Sequence, residues 1–191
     1  MAGEAQTNSK TADVAAVAEL GDEAMGLLRP DIAPQDYVAL LMSKKLYADA
    51  VRFVAHALPK REAVWWGWIS AKKAAGADPP PKIKASLEAT EKWIGQPDDE
   101  GGRAAMAAAK EAQTTTAAGC AGMAAFFSGS SLGPAHVPPI PPGEFLTAKA
   151  VSGAVIYAAV GKDPVNAPDR FQSFVNQGVE VAVKIKLWEK K

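Results

Sequence analysis

From His56 to Trp68 the chain reads His-Ala-Leu-Pro-Lys-Arg-Glu-Ala-Val-Trp-Trp-Gly-Trp, and no other stretch limits the fold so tightly. Pro59 lacks an N–H and its ring clashes with the preceding turn, so it ends one helix, yet its fixed φ suits the first turn of the next. A tight corner between two helices follows. On the second helix Glu62, Trp66, Ile69 and Lys73 share one face, and Arg61, Trp65, Trp68 and Lys72 the adjacent one. An apolar arc this wide must lie in the core or offer part of itself to a partner. Trp65 and Trp66 are expected in the core. Trp68, with Arg61 and Lys72 beside it, is expected at a rim or interface. His56 has Arg52 one turn before it and Arg61 and Glu62 just past the corner, a set that predicts hydrogen bonds fixing the angle between the helices. The structural corner is therefore read as Arg52, His56, Pro59, Glu62, Trp65 and Trp66.

The rest of the chain has the same punctuation. Residues 1–10 are small and polar and are expected to be disordered. Helical spacing follows over Val14 to Leu28, weakened by Gly21 and Gly26 and stopped by Pro30. Pro34 opens a helix with Tyr37, Leu40 and Leu41 on one face, and Val51, Val54 and Leu58 mark the helix that runs into Pro59. Beyond Asp78-Pro-Pro-Pro81 come a helix over 82–95 and, after Pro97, an alanine-rich one. Asp98, Asp99 and Glu100 complement the positive end of that second helix. It has few large side chains, so it must pack closely or lie at the periphery. A short helix ends at Phe127. Five prolines between 128 and 145 then forbid a helix, and Leu132, Val137, Ile140 and Phe145 predict a loop draped over the helices. Small residues in 146–160 predict a central helix. Val179 to Leu187 alternates like a strand, but with no second strand candidate it is read as helix. The expected fold is all-α, with about eight helices in a single-domain bundle or helical-hairpin stack over 11–188, one proline-rich loop at 128–145, and a basic tail at 189–191.

Function classes fall away on composition. The 191 residues carry 21 Lys and Arg against 21 Asp and Glu, and zero net charge lacks the electrostatic footprint of nucleic-acid binding. Lys184, Lys186, Lys190 and Lys191 read as a solvated cluster. The single cysteine, Cys120, excludes an internal disulfide and reads as a small buried residue. Only His56 and His136 are present, and no zinc-protease, phosphate-loop, nucleophile-elbow or calcium-loop motif occurs. No catalytic residue, metal or cofactor is expected. The N-terminus resembles no secretory signal and no run is long enough to span a bilayer, so a cytoplasmic protein without membrane insertion is expected.

The segments His56-Ala-Leu-Pro59, Arg61-Glu-Ala-Val-Trp-Trp66, Arg103-Ala-Ala-Met-Ala-Ala-Ala109, Pro138-Pro-Ile-Pro-Pro142 and Leu146-Thr-Ala-Lys-Ala-Val-Ser-Gly-Ala154 together resemble an uncharacterised bacterial family of helical proteins over about residues 28–183. Its members resemble accessory proteins encoded near type VI secretion or related contractile injection genes. That resemblance implies an adaptor or chaperone-like role with a protein partner, a secretion-system component or effector, and carries over no catalytic residue. The protein-binding candidates are Arg61, Trp68, Lys72, His136, Val137 and Ile140. An immunity protein against a cognate toxin is the alternative, followed by a small-ligand binder or enzyme using Arg52, His56, Arg61 and Glu62. Partner identity and oligomeric state stay open.

Overall fold

The computed structural model describes residues 11–134, 136–161 and 163–188. The expectations for 1–10 and 189–191 lie outside the described residues. Among those described, the chain is all-α: α1 Thr11–Val17, α2 Asp22–Gly26, α3 Pro34–Ser43, α4 Tyr47–Ala57, α5 Lys60–Ala75, α6 Pro81–Gly95, α7 Asp99–Glu111, α8 Ala117–Phe127, α9 Leu146–Val160 and α10 Ala167–Lys184, with a 3₁₀ turn at Pro164–Asn166 before the last. None of these helices is long and apolar enough to cross a membrane.

Local chemistry sets most boundaries. Pro34 and Pro81 stand at helix starts where no N–H is needed. Asp98 and Thr116 cap α7 and α8, accepting from the Gly101 and Gly119 amides at 2.6 and 3.0 Å. α3 ends with Lys45 in the left-handed region (φ 62°) and the Leu46 amide reaching back to the Leu41 carbonyl at 2.9 Å, and α10 ends the same way at Lys186. The helix expected over Val14 to Leu28 is two. Glu19 turns left-handed (φ 51°), and the Gly21 amide leaves the ladder to donate to Asp49 Oδ1 on α4 at 2.9 Å. Tyr37 then ties α2 down, its hydroxyl donating to the Ala24 carbonyl at 2.7 Å. The alternating segment after Val179 stays helical to Lys184, with Val181 and Ala182 buried and Val179 and Val183 half-buried.

α9 is the centre, packed against α4, α5, α8 and α10, and the alanine-rich α7 lies close against α8 and α6. Small residues allow these approaches. A Cβ on Gly67 of α5 would lie 3.5 Å from Val151 and Ala154 of α9, and one on Gly122 of α8 would come within 2.8 Å of the Ala105 carbonyl oxygen of α7. Large side chains gather elsewhere: Tyr37 and Phe53 meet edge-on at 5.1 Å, Trp188 returns to Phe53, and Trp66 lies fully buried between α4 and α10.

The loop of 128–145, expected to drape over the helices, is tied to α7 by hydrogen bonds. Both oxygens of Asp99, in the first turn of α7, accept from Ser130, and the Arg103 guanidinium donates to the Ser131 and Gly133 carbonyls. The loop then closes on itself, the Leu132 amide donating to the Ile140 carbonyl at 2.8 Å and the Ile140 amide to Ser131 Oγ at 3.0 Å. Val137 and Ile140 pack over Gly133, and Phe145 at the far end meets His56 of α4 at 5.8 Å ring to ring, so the loop is a self-packed Ω-loop pinned to α7 and reaching α4.

Trp66 leaves no room for a side chain at Gly178 of α10, where a Cβ would sit 2.8 Å from both the indole Cε2 and Val54 Cγ1. Alanine favours a helix over glycine by about 1 kcal/mol. Overpacking here outweighs that gain, and Gly178→Ala is expected to lower stability by about 1–3 kcal/mol in urea unfolding.

Candidate functional site

The three indoles of α5 meet three different neighbours. Trp66 points into the core and its Nε1 donates to the Phe174 carbonyl of α10 at 2.8 Å. Trp68 is only 7% exposed, and its Nε1 donates to the Leu87 carbonyl of α6 at 2.9 Å. Lys72 covers it, with Nζ 4.5 Å from the ring centroid and 3.6 Å from Glu91 of α6. The expectation of Trp68 at a rim is thus corrected: α6 lies along that flank and supplies the acceptor its indole needs. Trp65, expected in the core, is the half-buried one.

Trp65 looks instead into a groove of about 280 Å³ lined by Arg61 and Glu62 of α5, Ile94 of α6, Val181 and Lys184 of α10, and Ile185 just beyond. Val181 is its buried floor, Trp65, Ile94 and Ile185 are half-buried walls, and Arg61 and Lys184 are exposed at the rim. Arg61 Nε donates to the Ile94 carbonyl at 2.9 Å, covering an open carbonyl of the last turn of α6 and fixing the guanidinium at the groove edge. The groove combines an apolar interior with charged groups at its mouth.

Other candidates fall elsewhere. Lys72 serves Trp68, on the α6 flank. His136 and Ile140 are exposed in the Ω-loop, Ile140 by 55%, and Val137 is half-buried there. No described loop residue lines the groove. The sequence reading missed Ile94, Val181, Lys184 and Ile185. By sequence Lys184 falls in a basic cluster, and nothing in the spacing of α6 or α10 pairs their ends with α5.

The corner cluster is also rearranged. Arg52 donates to Asp49 Oδ1 and to the Glu19 carbonyl, both at 3.5 Å, and Glu19 pairs with Lys149 of α9 at 2.6 Å. These bonds hold the turn between α1 and α2 onto α4 and α9. Arg61 and Glu62 take no part, and no hydrogen bond among the described residues joins either to Arg52 or His56. The His56 ring donates from Nδ1 to the Arg52 carbonyl at 2.8 Å, while Nε2 is buried without a partner among the described residues and Phe145 lies 5.8 Å away, ring to ring. Burial pushes the His56 pKa down, opposed by the Arg52 carbonyl and the Glu19 charge and assisted by Lys149 and Arg52. Lys149 holds the Glu19 carboxyl below its usual range, first through its hydrogen bond and then through its charge.

Among the described residues no group of three or more His, Cys, Asp or Glu side chains is placed to hold a metal ion. Cys120 is buried, and burial pushes its thiol up to about 11, so it stays protonated at neutral pH.

Truncation separates the two misplaced indoles. Trp68→Ala is expected to cost about 3–5 kcal/mol, and Trp65→Ala about 1–2 kcal/mol, as fits a half-buried side chain; chemical unfolding of both variants measures the difference. His56 gives a pH signature. The folded chain binds its proton more weakly than the unfolded chain, where imidazole titrates near 6.5. Unfolding therefore takes up a proton below that value, and the His56 contribution is complete above it and declines as the pH falls. Melting curves between neutral and mildly acidic pH are expected to flatten in His56→Asn relative to wild type.

No curated protein and no solved structure matches the chain. One family model does, over residues 37–182, from α3 to near the end of α10, taking in the groove from Arg61 to Val181. On that match the chain belongs to the family of unknown function DUF6931.

Proposed function

We propose that this protein is a non-enzymatic interaction module, an adaptor or chaperone-like accessory, and that a protein partner docks in the groove at Trp65. The observation that carries this reading is the groove itself: a half-exposed indole flanked by Ile94 and Ile185, with a buried floor and a charged mouth. Interfaces draw most of their energy from a few aromatic and arginine anchors enclosed by groups that exclude water, and Trp65 with Arg61 at its edge has that composition. Among the described residues the lining holds no cysteine, serine, threonine or histidine. The resemblance of the corner and alanine-rich segments to accessory proteins of type VI secretion or related contractile injection systems suggests a component or effector of such an apparatus as the partner.

Co-expression with the products of adjacent genes tests this reading. Wild type is expected to co-purify with one of them, and Trp65→Ala, checked for a retained cooperative melt, to weaken that capture by about tenfold or more. A wild type that captures none of those products, or a partner held equally well by Trp65→Ala and by Ile185→Ser, would overturn it.

A further inference from the structure

We infer that the groove takes an acidic amphipathic helix of the partner, with one bulky apolar side chain seated on Trp65, Ile94 and Ile185 and a carboxylate one helical turn away meeting Arg61 and Lys184. This rests on the docking reading above and adds the chemistry of the occupant.

Size is the first argument. An open groove of about 280 Å³ has room for one anchoring side chain with part of a second. The apolar interior selects the anchor, and the helix-in-groove mode places its charged neighbours three or four positions away, above the rim.

Charge is the second. Four surface lysines are matched, Lys72 with Glu91, Lys82 with Glu111, Lys84 with Glu88 and Lys149 with Glu19, while others such as Lys44, Lys45, Lys92 and Lys110 make no ion pair among the described residues. At the groove several such unpaired cations fall on or beside the lining. Lys184 makes no ion pair among the described residues, although Glu180 lies one turn before it, and the exposed Lys60 and Lys186, chain neighbours of Arg61 and Ile185, make none either. Against these cations the lining holds one carboxylate, Glu62. Arg61 adds geometry. Its Nε is committed to the Ile94 carbonyl and neither terminal nitrogen has a partner among the described residues, so the fork is held in place with two donors open. A guanidinium fixed in this way loses little entropy on binding and matches a carboxylate in two-point contact. Charge at the rim then selects the partner and its orientation, while the apolar seat supplies most of the affinity.

Selection from a phage-displayed library of random helical peptides against the full chain tests the inference. Enriched sequences are expected to carry Leu, Phe or Trp with Asp or Glu three or four positions away. A synthetic peptide of that consensus should bind about tenfold or more weakly to Arg61→Glu/Lys184→Glu, lose affinity as salt is raised, and recover on the double variant when its acids are changed to Lys. If Arg61→Glu disturbs the fold, Lys184→Glu alone, at an exposed side chain, carries the comparison. Enriched peptides that are neutral or basic, or that bind the charge-reversed variant equally, overturn the acidic partner; if their binding still needs Trp65, the docking reading stands. No enrichment, or enrichment indifferent to Trp65→Ala, overturns both.

Discussion

Trp66 is the side chain around which the rest is arranged. It is fully buried, its indole donates to a backbone carbonyl of α10, and its ring occupies the space a Cβ at Gly178 would need. A hydrogen bond from Nε1 and a glycine against the adjoining Cε2–Cζ2 edge fix both the rotation and the axial position of α10 against α5. Once Phe174 and Gly178 are placed, Val181, Lys184 and Ile185 follow on the next turns, beside the residue that precedes Trp66. The groove is in this sense a by-product of the core. Its walls come from helices a hundred residues apart in sequence, registered by a contact that no partner touches.

The other half of the molecule is built on closeness rather than size. Ala105, Ala109, Ala121, Ala124, Ala154 and Ala158 are all buried to within about one per cent, and Gly67 and Gly122 let backbones approach where a methyl would meet a carbonyl or a neighbouring side chain. Packing of this kind gains dispersion from many short contacts and loses little rotamer entropy, since alanine and glycine have none to lose. It also makes α7, α8 and α9 intolerant of larger residues.

Much of this was legible in the sequence because prolines and glycines punctuate it. The corner at Pro59, the start at Pro34 and the central place of residues 146–160 all rest on local rules that tertiary context left intact. What context decided was harder to read. Trp65 and Trp68 fall on one helical face by periodicity, so which is covered depends on where α6 and α10 pass, and neither path is written in α5. Asp99 looked like one more carboxylate at a helix start, and only the fold shows it holding Ser130. Glu19 is a left-handed residue that no propensity would pick, stabilised by partners on α4 and α9. The candidate site was half visible: Arg61, Glu62 and Trp65 were singled out, though with Trp65 assigned to the core, and the four residues from α6 and α10 were not.

The distribution of the five tryptophans gives the protein a native optical probe. Trp66, Trp68, Trp93 and Trp188 are buried and Trp65 alone stands half-open at the groove. Four indoles sealed from water set a blue-shifted, steady emission background that reports on the fold as a whole. The fifth, the most exposed of them, contributes most of the red edge, and a change at that edge reports chiefly on the mouth of the groove. Binding there and loss of the fold therefore write different spectra, with no label attached.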